Sequence, residues 1–205
     1  MTRPIMLYGN SGSGNCLKVK WTANLLAIPY EWIETDNFAG ATQTEDFLKL
    51  NPAAQVPVVV LPDGRPLAQS NGIMLHLAEI AKSKLIPADA YDRAKMYEWL
   101  FWEQYSHEPV IAVRRALIFF QHKHPDDLDP QLFHRGQRAL GRMELALLSG
   151  DYLVGDALTL ADIALVAYTR VAHEGGFDLS EFPTVRAWVH RVERDLGLAP
   201  VLEAA

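Results

Sequence analysis

The sequence predicts a small α/β domain followed by an all-helical domain. Over the first ~80 residues, short apolar runs typical of strands alternate with helical periods. From residue 88 onward the sequence shows only long helical patterns separated by turn signals. The 205 residues are enough for one large domain or two small ones. We therefore expect one domain at residues 1–82 and a second at residues 88–205.

The first domain is expected to have the order βαβαββα. Pro29 breaks the chain between the first helix and the second strand, and Asp63-Gly64 is typical of a tight turn between strands. Ser70 is the expected N-cap of the last helix. The strands are predicted at residues 4–8, 30–35, 56–61 and 65–68, and the helices at 15–27, 42–50 and 70–81.

The second domain is expected to contain helices only. Pro109 lies inside the first of them and must kink or interrupt it, because proline lacks an N–H and clashes with the preceding turn. Thr159 and Asp162 have the spacing of a capping box, which closes the N-terminus of a later helix. The helices are predicted at residues 90–121, 130–148, 160–172 and 184–195.

Composition excludes several functional classes. The formal net charge is −6 and the isoelectric point is near 5.6, which argues against a nucleic-acid surface and against binding to anionic membranes. The single cysteine permits no internal disulfide and belongs to no metal-binding pattern, so no metal is expected. The start of the chain lacks a signal-peptide core, and no apolar run reaches the ~18 residues of a membrane helix. We expect a cytoplasmic protein with a small soluble partner.

A glycine-rich stretch, Tyr8-Gly-Asn-Ser-Gly-Ser-Gly-Asn-Cys16, joins the first strand to the first helix. Its glycines have the spacing of a phosphate loop, but Asn15 and Cys16 stand where lysine and serine or threonine are required. A dinucleotide-binding loop would need glycine where Leu17 stands. Both nucleotide-binding interpretations therefore fail at specific positions.

Two interpretations of the stretch remain open. A loop that enters a helix presents backbone N–H groups and the positive end of the helix dipole, and the hydroxyls of Ser11 and Ser13 add donors for an anion or a thiolate. Alternatively, Ser13 simply caps the helix. Cys16 aligns with the apolar residues Val19 and Ala23 of the helix, so we interpret it as a buried structural residue.

Two further segments favour a peptide-like ligand. Proline at position 57 opens a strand, and a cis bond there would leave the Val56 backbone available to an extended ligand. Gln69 and Ser70 stand at a predicted helix N-terminus, where the glutamine can bind an ammonium or a carboxylate and the helix amides can hold a carboxylate.

Taken together, these motifs resemble the cytosolic glutathione transferases over essentially the whole chain. The resemblance rests on a serine-bearing loop and helix, then Asn51-Pro-Ala-Ala-Gln-Val-Pro57, Gln69-Ser-Asn-Gly-Ile73 and Leu158-Thr-Leu-Ala-Asp-Ile163. It implies a thioredoxin-like first domain and an all-α second domain, usually as a homodimer. The loop is most similar to bacterial and theta/delta-like members that use serine. Asn15 replaces the proline of their S-x-P-C pattern.

The resemblance also implies roles for individual residues. Ser13 would be catalytic, donating a hydrogen bond to the glutathione thiolate, with Asn15 beside it; Ser11, Asn15 and Tyr8 remain alternative donors. Gln55, Val56 and a cis Pro57 would bind the cysteinyl part of glutathione. Gln69 and Ser70 would hold its γ-glutamyl end. Tyr105, Val113 and Phe120 are candidates for the wall of the electrophile site.

The implied function is conjugation of the glutathione thiolate, as co-substrate, to small hydrophobic electrophiles in detoxification. Two alternatives stay open at this point. The first is a glutathione-dependent disulfide reductase or peroxidase, in which glutathione supplies the sulfur. The second is a non-catalytic glutathione-binding protein of the same fold.

Overall fold

The structure is a computed structural model that describes residues 3–202, and the chain divides after Ile86 into two compact units. The first unit has the element order βαβαββα, which confirms the expected order. The outermost residues of both expected domains, 1–2 and 203–205, lie outside the described residues. The elements of the first unit are β1 (Ile5–Gly9), α1 (Gly14–Leu25), β2 (Tyr30–Glu34), α2 (Glu45–Leu50), β3 (Val58–Val60), β4 (Pro66–Ala68) and α3 (Ser70–Ile80).

The four strands form one mixed sheet with the order β2-β1-β3-β4. β1 and β2 are parallel, whereas β3 is antiparallel to both β1 and β4. Tyr8 pairs with Val58, and Val58 pairs with Ala68. Gly9 follows Tyr8, Pro57 precedes Val58 and Gln69 follows Ala68, so these three residues lie at the same end of the sheet. Three separate segments of the sequence meet at this end.

The two faces of the sheet carry different helices. A Cβ atom added to Gly9 would lie 3.1 Å from Cys16 Cβ, so this face of β1 contacts α1, and α1 packs against α3. Side chains alternate along a strand, so Tyr8 points to the other face. There its ring meets Phe47 of α2 edge-on, with the ring centroids 6.1 Å apart. Tyr8 and Cys16 are therefore on opposite faces.

Helices joined by turns make up the second unit, and none of its described residues lies in a strand. Its α-helices are α4 (Ala90–Trp102), α5 (Glu108–Arg115), α6 (Pro130–Leu147), α7 (Leu160–Thr169) and α8 (Pro183–Asp195). The sequence predicted one long helix at 90–121, with an interruption at Pro109. The structure places a π-helical turn, Glu103–His107, directly before this proline, and a second one at Ala116–Phe120. A wider turn accommodates the missing N–H and the ring of Pro109 without ending the helix.

The capping box of α7 forms as expected. The Thr159 side chain caps the helix, and the Asp162 side chain accepts from the Thr159 backbone N–H. The core of this unit is built on α7, all ten of whose residues are buried. Within residues 3–202, no helix combines the length and apolarity needed to cross a membrane.

Two glycines on α6 should respond oppositely to alanine. A Cβ on Gly136 would lie 2.3 Å from the buried ring of Phe177, so we expect Gly136→Ala to lower the free energy of unfolding by about 1–2 kcal/mol. A Cβ on Gly141 meets nothing within 4 Å, so Gly141→Ala should raise it by about 0.5–1 kcal/mol through helix propensity. Urea unfolding of both variants measures the difference. Equal effects of the two substitutions would contradict the tight packing of Phe177 on α6.

Candidate functional site

The loop between β1 and α1 is a tight turn fixed by its own hydrogen bonds. The Ser13 N–H donates to the Asn10 carbonyl at 3.0 Å, and the Gly12 N–H donates to Asn10 Oδ1 at 2.8 Å. The N–H and the hydroxyl of Ser11 both donate to Glu34 Oε1, at 2.9 and 3.2 Å. Ser11 is thus turned toward β2, and its hydroxyl is already engaged.

Ser13 is the N-cap residue of α1, and its carbonyl accepts the N–H groups of Cys16 and Leu17. Its hydroxyl, however, makes no capping hydrogen bond. The hydroxyl instead approaches the Cys16 sulfur closely enough for a hydrogen bond that lowers the pKa of that thiol. Of the two interpretations left open by the sequence, simple side-chain capping is the one that the geometry does not support.

Cys16 is fully buried in α1, which confirms its predicted packing role. Burial raises the pKa of its thiol, because the charged form loses solvation, and the hydrogen bonds from Ser13 and the Asn10 backbone oppose this only in part. A neutral, inaccessible thiol is a poor nucleophile. The Cys16 thiol therefore does not account for a thiol reaction at this site.

Asn15 and Ser70 connect two of the predicted segments directly. The Ser70 hydroxyl donates to Asn15 Oδ1 at 3.2 Å, although the residues lie 55 positions apart in sequence. With the oxygen turned to Ser70, the Nδ2 group of Asn15 is the donor end of the amide. The first turns of α1 and α3 are thereby held side by side, and both helix N-termini lie at the same end of the sheet.

The segment before β3 is arranged by Asn51. Asn51 is buried, and its Nδ2 donates to the Gln55 carbonyl at 2.8 Å while its Oδ1 accepts the Ala53 N–H at 3.1 Å. The Val56-Pro57 peptide bond is cis, and Pro57 is buried. Gln55 is exposed and Val56 is half-buried. β3 begins at Val58 rather than at Val56, since a cis proline without an N–H cannot join the ladder.

The structure differs from the sequence prediction at the N-terminus of α3. The N-cap of α3 is Gln69, with φ 69° and ψ 110°, and Ser70 is the first helical residue. The expectation that Ser70 caps the helix was therefore wrong, because the chain turns sharply out of β4 before the helix begins. A non-glycine residue in this region of backbone space costs about 1–3 kcal/mol, and such strain is concentrated at functional sites. The strained backbone holds the Gln69 side chain exposed at the sheet end.

Sequence reasoning missed Glu34 and gave no separate role to Asn51. Glu34 is an exposed acidic residue at the end of a strand, and no motif or spacing distinguishes it from other surface carboxylates. Only the pairing of β1 with β2 brings it to the glycine-rich loop. Within residues 3–202, no three histidine, cysteine, aspartate or glutamate side chains are grouped as metal ligands.

Two domain families match successive parts of the chain. Residues 12–80 match "Glutathione S-transferase, N-terminal domain", and residues 102–195 match "Glutathione S-transferase, C-terminal domain". Together these matches cover well over half of the chain.

Individual relatives agree with this. A crystal structure of glutathione S-transferase from Pseudomonas fluorescens Pf-5 is 43% identical, with a TM-score of 0.91, over 98% of this chain and 100% of that one. Glutathione S-transferase 1 of Dianthus caryophyllus is 28% identical over 100% of this chain and 97% of its own length. A structure of Ure2p in complex with S-hexylglutathione is 26% identical, with a TM-score of 0.85, over 98% of this chain and 97% of that one.

Proposed function

Because this chain belongs to the glutathione S-transferase family, we propose that it binds glutathione at the sheet end formed by Gly9, Pro57 and Gln69. We further propose that it transfers the glutathione thiolate to small hydrophobic electrophiles. The observation that carries this proposal is the register of the sheet, which lines up the three segments. Adjacent strands lie about 4.8 Å apart, so the line spans about 10 Å. An extended tripeptide has nearly the same length.

Each segment offers one part of the ligand a suitable partner. The half-buried Val56, next to the cis peptide, presents main-chain groups to the cysteinyl residue, with Gln55 and Pro57 on either side in sequence. Gln69 and Ser70, at the N-terminus of α3, receive the γ-glutamyl carboxylate and ammonium. The complex of Ure2p with S-hexylglutathione supports a glutathione site on this fold.

The sulfur of the cysteinyl residue then points toward the first turn of α1, which carries Ser13 and Asn15 and is held beside Ser70. A glutathione thiol has an unperturbed pKa of about 8.5 or somewhat higher, so activity near pH 7 needs a shift of one to two units. One hydrogen bond to a charged group contributes about 1.5–3 kcal/mol, and about 1.4 kcal/mol corresponds to one pKa unit. A hydrogen bond from Ser13 together with the helix dipole is therefore sufficient to lower the thiol pKa by one to two units, and no general base is required.

The remaining components of the proposal are made by analogy with the family. Of the candidates for the wall of the electrophile site, Tyr105 and Val113 are exposed and Phe120 is half-buried. The protein is a cytoplasmic homodimer that acts in detoxification. Light scattering coupled to size-exclusion chromatography tests the dimer, since a monomeric mass near 23.0 kDa would contradict it.

Glutathione binding is the decisive test of the site. Calorimetric titration should show saturable binding, and glutathione at 100 times its dissociation constant should stabilise the fold by about 2.7 kcal/mol. Ser70→Ala should weaken binding about tenfold, because Ser70 stands at the proposed carboxylate site and holds Asn15. Ser83→Ala, beyond the other end of α3, is the matched control and should leave binding unchanged. Absence of binding to the wild-type protein would overturn the proposal.

Activity assays separate the proposed reaction from its alternatives. Conjugation to a chloronitrobenzene substrate tests the transferase function. Reduction of a glutathionylated disulfide tests the reductase alternative, which is also compatible with a site whose only protein thiol is buried. Binding without either activity would indicate a non-catalytic glutathione-binding protein.

A further inference from the structure

The carboxylate of Glu34, the last residue of β2, accepts three hydrogen bonds, two from Ser11 of the glycine-rich loop and one from Trp32 of its own strand. Oε1 accepts the N–H and the hydroxyl of Ser11, at 2.9 and 3.2 Å, and Oε2 accepts Trp32 Nε1–H at 2.7 Å. The pKa of the Glu34 carboxyl is held below its usual value, chiefly by the Ser11 N–H and next by Trp32. Glu34 is thus ionised at neutral pH and fully engaged with its neighbours.

The sheet places this carboxylate at the proposed sulfur end. Gly9 and Glu34 are register partners in the parallel pair of β1 and β2, so their side-chain directions lie on the same face, the one that carries α1. The loop that leaves Gly9 therefore passes directly over Glu34. Trp32, on the same face, is covered in turn by Lys20, whose Nζ lies 4.7 Å from the centre of the Trp32 ring.

On charge alone, a carboxylate here is unfavourable. Glu34 raises the pKa of the nearby Cys16 thiol through its negative charge, and it would act in the same direction on any thiolate bound at the N-terminus of α1. A residue that opposes the thiolate electrostatically must contribute in another way if the site is to work. Its hydrogen bonds to Ser11 offer that contribution, because they fix the turn that carries Ser13.

We propose that Glu34 is a positioning residue, which anchors Ser11 so that the backbone of Ser13 and the first amides of α1 are held in place for the glutathione sulfur. This inference rests on the proposed function. Glu34 does not touch the ligand; it acts through the geometry of the turn from Asn10 to Ser13. The Ser13 N–H and the Gly12 N–H, which both donate to Asn10, stabilise the same turn from within the loop.

The charge effect and the positioning effect predict opposite results for Glu34→Ala. Removing the negative charge alone would lower the pKa of the bound glutathione thiol. Losing the anchor should raise it by about one unit, which leaves about three- to eightfold less thiolate at neutral pH and lowers kcat by a similar factor. The dissociation constant for glutathione should change by less than about threefold, because Val56, Gln69 and Ser70 lie on other segments. Thiolate absorbance near 240 nm, titrated in the binary complex, measures this pKa.

Four variants complete the comparison. Glu31→Ala removes another exposed carboxylate from β2, on the opposite face, and should change neither the thiol pKa nor kcat. Glu34→Gln keeps only one acceptor oxygen for the Ser11 and Trp32 donors, so its thiol pKa should lie between those of wild type and Glu34→Ala. Combining Trp32→Phe with Glu34→Gln removes the donor that competes with Ser11 for this oxygen. The thiol pKa of the double variant should therefore be close to that of Trp32→Phe alone.

The result that overturns the inference is a thiol pKa in Glu34→Ala that is unchanged or lower than in wild type. Exchange of the Ser11 amide, followed by NMR in the free protein, reports the anchor without any ligand and should accelerate in Glu34→Ala but not in Glu31→Ala. Unchanged exchange would also overturn the inference. Failure of the wild-type protein to bind glutathione would instead overturn the proposed function, and this inference with it.

Discussion

Replacing Asp162 by alanine is expected to lower the free energy of unfolding by about 3–4 kcal/mol, the largest effect of any substitution considered. Asp162 is fully buried at the start of α7. Its Oδ1 accepts the Leu153 N–H and Trp188 Nε1–H, each at 2.9 Å, and its Oδ2 accepts the N–H and hydroxyl of Thr159 at 2.9 and 3.0 Å. Alanine would leave these buried donors without that acceptor. The cost is about 1–3 kcal/mol for each donor that cannot form a hydrogen bond with water instead.

Asparagine at position 162 should cost less, about 2 kcal/mol. Its single oxygen can serve Leu153 and Trp188, and the Thr159 hydroxyl can rotate to accept from the new amide, so mainly the Thr159 N–H loses its partner. Asp156→Ala, at an exposed aspartate six residues earlier, is the control and should change stability by less than about 0.5 kcal/mol. Urea unfolding gives the three values. A loss below about 1 kcal/mol in Asp162→Ala would show that the network does not stabilise the helical unit.

Replacing Ser13 by alanine is expected to lower kcat/KM for conjugation by about 10- to 100-fold, the range for losing one hydrogen bond to a developing or full charge. The helix dipole and the amides of α1 remain, so activity should not vanish. In the structure the Ser13 hydroxyl is directed to Cys16, so donation to a bound thiolate requires a rotation of its side chain. The pKa of the bound thiol should rise by one to two units in the variant, and a pH profile of kcat/KM measures it.

The alternative donors provide the controls for Ser13→Ala. Ser11→Ala and Tyr8→Phe should each change kcat/KM by less than about threefold, since alanine at position 11 keeps the N–H that donates to Glu34, and Tyr8 packs against Phe47 on the opposite face. Asn15→Ala tests the remaining candidate. If Ser13→Ala loses less than a few-fold while Asn15→Ala loses more, the thiolate donor is Asn15, and the serine assignment is wrong.

Much of the fold could be predicted from the sequence. The order βαβαββα followed by helices depends on local periodicity and on turn residues, and both act within a few positions along the chain. Element ends were less predictable. The third strand was expected from Val56, but it begins at Val58, because Pro57 has no N–H with which to join the ladder. Ser70 was expected as the cap of α3, but the sharp exit from β4 gives that position to Gln69.

The chemistry at the opening loop could be predicted only in part. Residue types at Asn15, Cys16 and Leu17 exclude both nucleotide-binding interpretations without any structure, since each requires a different residue at a fixed position. The burial of Cys16 followed from the helical period. The spacing of residues in the sequence does not predict whether the Ser13 hydroxyl caps α1, because a capping serine and a serine that donates to a ligand occupy the same position.

The sequence by itself determined the family, the order of the elements and the residue types available for a glutathione site. Only the tertiary structure decided which of these residues are neighbours. The register of β1, β3 and β4 aligns Gly9, Pro57 and Gln69, the Asn15–Ser70 bond joins residues 55 positions apart, and the pairing of β1 with β2 brings Glu34 under the loop. The physical reason is that strand pairing and side-chain hydrogen bonds link distant positions, whereas periodicity and capping act only between near ones.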